Sequence, residues 1–151
     1  MSTQQRNDAC LVPVDPSQAD VLRLQTLRVL EANHDFFEDL LEFGPEAQHA
    51  LSVIYRDAFA VLDALGWRRP EHPTTVDVPL STGHIDQLRR RRYDLGHTNI
   101  DRLTTRDQAT DPSVIATIDQ AIATDRLAAR ALDQLMARHA SADHGRRSGD
   151  A

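Results

Sequence analysis

Only one cysteine, Cys10, occurs in the 151 residues. No intrachain disulfide can form, and a reducing cytoplasm is the simplest compartment. No apolar run approaches the roughly 20 residues that span a bilayer, so no membrane association is expected. The first residues also lack the apolar stretch of a signal peptide, which again predicts a cytoplasmic protein. Glycine and proline are scarce, 6 and 7 residues, and most mark segment boundaries, which favours long uninterrupted helices. Lysine is absent: all 17 basic residues are arginine. With abundant Ala and an excess of Asp over Glu, that bias looks like the codon drift of a GC-rich bacterial genome, so a bacterial protein is the expectation. A net charge of −6 argues against broad attraction to nucleic acid or lipid surfaces. What is present, 40% apolar and 26% charged residues, suits one soluble domain with a single core.

Helix punctuation organises the chain. Asp15, Pro16 and Gln18 form an N-cap, a first-turn proline and a capping-box partner. The stretch that follows places Leu27, Leu30, His34, Phe37 and Leu41 at alternating three- and four-residue spacing, flanked by Leu24 and Leu40. Gly44 and Pro45 close this helix and open the next, and so short a junction makes the pair an antiparallel hairpin. The second helix buries Leu51, Ile54, Ala58, Val61 or Leu62, and Leu65, and stops at Gly66. The third starts at Ser81 or Thr82, with a sparse apolar pattern (Ile85, Leu88, Leu95, Ile100, Leu103) that slips register midway. Asp111 and Pro112 cap a strong fourth helix with Ile115, Ile118, Ile122, Ala129, Leu132 and Met136 on one stripe.

The expectation is an all-α four-helix bundle, with helices at about 16–43, 45–65, 82–108 and 112–140. A flexible arm is expected over 1–14, a single domain over 15–140, and a disordered tail over 141–151. Residues 66–80 read as a long extended connection, and no strand pattern is evident.

Each predicted helix carries one ionisable residue near its middle on the buried face: His34, Asp57, Arg92 and Asp125. In one bundle these form a polar layer at half height. Charges removed from water cost several kcal/mol unless paired, so such a layer sets helix register or serves a site. As a site, it would bind an anionic or hydrogen-bonding small molecule, with His34 as a general base oriented by Asp57. As structure, it is a salt-bridge network around Arg92.

Metal-ligand spacings are thin, and no cofactor is expected. Glu46 and His49 resemble the Glu-x-x-His unit of ferritin-like di-iron bundles, and Asp94 and His97 are a carboxylate analogue. Glu46 and His49 nevertheless fall in first turns, away from mid-bundle, and the fourth helix lacks the second unit. His97 and Asp101 alone do not make a hemerythrin-like site. His84 and His139 come to one end if helices three and four pair, near Asp63, and are the remaining candidates for zinc.

Arg89, Arg90, Arg91 and Arg92 cover more than one turn, so they fan around the third helix as a largely solvated basic face. Nucleic-acid contact through them is a minority reading, since no aromatic platform accompanies the run. The segment Arg92, Tyr93, Asp94, Leu95, Gly96, His97 resembles the Arg–four to six residues–His signature of HEPN-type ribonucleases. That resemblance implies an all-α dimer in which Arg92 and His97 act together at the interface to cleave RNA without metal. Tyr93 and Asn99 depart from the usual residues of that motif. The favoured expectation remains a small helical binding or regulatory protein, as a homodimer or with a protein partner. The candidates for any chemistry are His34, Asp57, Arg92, His97 and Asp125.

Overall fold

The computed structural model describes residues 8–35, 39, 42–68 and 74–149. Among these the elements are β1 (Cys10–Val14), α1 (Pro16–His34), α2 (Pro45–Leu65), β2 (Val76–Leu80), α3 (Thr82–Gln108) and α4 (Pro112–Gly149). The fold is an all-α four-helix arrangement with a small two-stranded ribbon at one end. No described helix is long and apolar enough to cross a membrane.

The caps behave as the sequence predicts. The Asp15 carboxylate accepts from the Gln18 backbone N–H at 3.0 Å, and the Gln18 side chain accepts from the Asp15 N–H at 3.2 Å. Ser81 caps α3 by accepting from the His84 N–H at 2.9 Å. Gly44 and Gly66 flank α2 at φ of +93° and +82°, a region that side chains other than glycine rarely adopt. Arg23, in the second turn of α1, donates to the carbonyls of Gly66 (2.9 Å) and Leu65 (3.2 Å). The start of α1 therefore lies at the end of α2, which makes the pair antiparallel and satisfies carbonyls left over by the helix terminus.

Several boundaries differ from expectation. Residues 10–14, assigned to a flexible arm, form β1, and residues 76–80 of the long connection form β2. The strands pair antiparallel with Cys10 opposite Leu80, Val12 opposite Val78 and Val14 opposite Val76. Cys10, Val12 and Val14 point inward while Leu11 and Pro13 point out. Each strand contains a proline, tolerated because both strands of a two-stranded ribbon are edges. The first helix ends at His34, not 43; Phe37, Leu40 and Leu41 lie outside the described residues. The fourth helix continues past 140, through residues assigned to a disordered tail, to Gly149.

The core lies where the ribbon meets the helices. Val12, Val14, Val78 and Leu80 pack with Leu22, Val61, Leu65, Ile85, Leu88, Leu132 and Leu135. The buried face of α1 is displaced from the predicted stripe. Ala19, Leu22, Thr26 and Val29 are buried, whereas Leu24 and Leu27 are exposed. That face of α1 packs against α2, α4 and α3, the helices it touches.

The third and fourth helices form a long antiparallel hairpin. Beyond Leu88 no residue of α3 is buried, and before Ile122 no residue of α4 is. The distal part is held by arginine–aspartate pairs: Arg92 to Asp133 (3.1 Å), Arg102 to Asp125, and Arg106 to Asp119 (2.5 Å). The apparent slip of register in α3 is thereby explained. Its line of contact with α4 runs through Leu88, Arg92, Leu95, Asn99, Arg102 and Arg106, continuous in spacing but largely polar.

Candidate functional site

The predicted mid-height layer does not form. His34 is exposed at the last residue of α1. Asp57 is buried, but its carboxylate accepts from Ser81 Oγ at 2.7 Å and from the Arg56 guanidinium at 3.0 and 3.1 Å. Arg92 pairs with Asp133 and Asp125 with Arg102, so none of the four bonds to another. The layer assumed a first helix reaching residue 43, which would have centred His34. It also ignored that an arginine can leave a core face along its own stem.

Asp57 instead belongs to a buried polar cluster at the base of the bundle. Ser81 Oγ donates to Asp57 while accepting from the His84 N–H, so the cap of α3 is tied to α2. His84 Nε2 lies 3.1 Å from Thr26 Oγ1 on α1, and its Nδ1 is buried without a hydrogen-bond partner among the described residues. Burial pushes the His84 pKa down to about 4, the nearby Asp57 charge opposing only in part. Ser81 Oγ thus donates to the Asp57 carboxylate and has no hydrogen bond to the His84 ring among the described residues.

His84 and His139 are buried, Asp63 is exposed and accepts from Trp67 Nε1 at 2.9 Å, and Glu46 and His49 are exposed. Among the described residues, no three His, Cys, Asp or Glu side chains converge to hold a metal ion. His139 Nε2 is a second buried nitrogen with no hydrogen-bond partner there. Cys10 is buried, and its thiol lies 3.9 Å from Asp143 on α4.

Arg92 and His97 fall on different sides of α3. Arg92 lies on the line facing α4, whereas His97 is exposed and packs edge-on against Tyr93 with centroids 4.3 Å apart. Of the arginine run, Arg89 pairs with Asp86 and Arg91 with Asp94, so acidic neighbours neutralise part of the basic face.

Two surface features were not read from the sequence. A groove of about 430 Å³ opens between α1 and the hairpin, with Leu24 and Leu95 on its walls beside Gln25, Arg91, Arg102 and Asp125. Arg91 donates to Gln25 across it at 3.4 Å. The hairpin also exposes large apolar side chains: Tyr93 (65%), Ile100 (60%) and Leu127 (63%), with Leu103 and Val114 exposed to a lesser degree. The available signal was Ile100 and Leu103 falling off the contact line of α3.

No known family model matches this chain, and neither characterised proteins nor solved structures give a significant match to it.

Proposed function

We propose that this protein is a helical-bundle binding module that engages a protein partner along the distal α3–α4 hairpin. The exposure of Tyr93, Ile100 and Leu127 on that hairpin carries the reading. Large apolar side chains held in water on one element mark contact surfaces when they recur along it, as Tyr93 and Ile100 do on α3. The polar side chains Asp57, Arg92 and Asp125 each have an intramolecular partner, which supports the same view. Such pairs hold helices in place.

Photo-crosslinking in the host cell tests the proposal. A photoreactive residue at position 100 or 127 is expected to give discrete protein adducts, and one at the exposed Ser52 of α2 to give none. Absence of adducts from the hairpin, or equal labelling from all three positions, rejects the reading. RNA cleavage in EDTA that disappears in both Arg92→Ala and His97→Ala would replace it with the nuclease.

A further inference from the structure

One face of α3 carries Arg90, Tyr93, His97, Ile100, Thr104 and Asp107 at spacings of three, four, three, four and three residues. At 3.6 residues per turn these form a single stripe, about 25 Å long and roughly opposite the line that meets α4. All six are exposed. The stripe is apolar and aromatic at its centre, cationic at its Arg90 end and anionic at its Asp107 end. Arg90 has no ion-pair partner among the described residues, and the Arg106 guanidinium beside Asp107 is already bound by Asp119.

We infer that this stripe docks against the same stripe of a second copy of the chain, the two α3 helices running antiparallel about a two-fold axis between residues 98 and 99. A two-fold contact must be self-complementary, each residue i meeting j while j meets i. The antiparallel arrangement meets that condition at every level. Arg90 faces the Asp107 of the other copy, Tyr93 faces Thr104, and His97 faces Ile100. A parallel pairing would set Arg90 on Arg90 and Asp107 on Asp107, and like charges directly opposed are destabilising. Beside Arg90 and Tyr93 lies a shallow concavity of about 590 Å³, also lined by Asp86 and Asp94. A single helix face is small for an obligate interface, so the dimer is weak, roughly micromolar, and weakens further with added salt.

This inference rests on the binding reading above and specifies its partner. Sedimentation equilibrium across a range of protein concentrations tests it, with circular dichroism confirming that each variant remains folded. The wild type is expected to show a reversible monomer–dimer equilibrium. Arg90→Asp, Asp107→Arg and Ile100→Glu should each weaken dimerisation at least tenfold, and the double variant Arg90→Asp/Asp107→Arg should recover it. A wild type that stays monomeric at every concentration overturns the inference, as does a double variant no tighter than its single parents. The two levels fail separately. A monomer that still gives hairpin adducts to other proteins ends the self-pairing alone, whereas a monomer with no adducts ends both.

Discussion

His84 carries the one large titration shift among the described residues. It is buried to 1% exposure, its Nδ1 lacks a partner among the described residues, and the fold holds it neutral with a pKa lowered to about 4. Folding therefore gains from this group at pH above its ordinary value of 6.5, and the gain disappears as pH falls toward 4. A difference of that size corresponds to roughly 3 kcal/mol. Chemical denaturation of wild type and His84→Leu should show the wild type losing more stability between about pH 6.5 and 4. Parallel losses would place the acid sensitivity elsewhere. Asp57 differs in kind, since its carboxylate ties α2 to the cap of α3. Asp57→Ala should lower stability by about 1–3 kcal/mol, because Ser81 Oγ and the Arg56 guanidinium lose their acceptor. A variant as stable as wild type but unable to bind its partner would contradict this structural role. Asp57 was identifiable from its place near a helical stripe, but its partner was not, because Ser81 lies 24 residues away on another element.

At the level of elements, helix starts were legible and strands were not. Asp15 with Gln18, Gly44 with Pro45, and Ser81 are local signals, and the bounds of α2 and α3 follow them to the residue. The ribbon has no such signature: its strands are five residues each, both contain proline, and β2 trails a stretch of mixed polarity. Their pairing is set by burial of Val12, Val14, Val78 and Leu80 against helices far along the chain. Removal of residues 1–14 should therefore be severe. It exposes the inner faces of β2 and α4 and forfeits the burial of Cys10, Val12 and Val14, at roughly 1.5–3 kcal/mol for each large apolar side chain. A thermal melt unchanged by the truncation would show that the ribbon contributes nothing. Ser81→Ala should cost about 1 kcal/mol through the lost cap, and more if Asp57 is left unpaired.

For the molecule as a whole, the consequence is uneven stability. The apolar core gathers at the ribbon end, while the distal hairpin is tied together by Arg102–Asp125 and Arg106–Asp119 at or near the surface. Exposed ion pairs contribute little, so this end should open locally without global unfolding. Hydrogen exchange on dilute protein should find amides of 100–118 exchanging well before those of Leu88, Leu132 and Leu135. Uniform protection along the hairpin would contradict the division. The same division explains what the sequence analysis could reach. Residue spacing and capping chemistry determined that the chain makes helices, where all four start and where two of them end, and that helix three is the polar one. All of these are interactions within a few residues. The tertiary structure alone decided the existence of the ribbon, the rotation of α1 that exposes Leu24 and His34, and the dispersal of the supposed polar layer into separate pairs. Those outcomes depend on which distant surfaces compete to bury apolar area, and the period of a single helix carries no record of that competition.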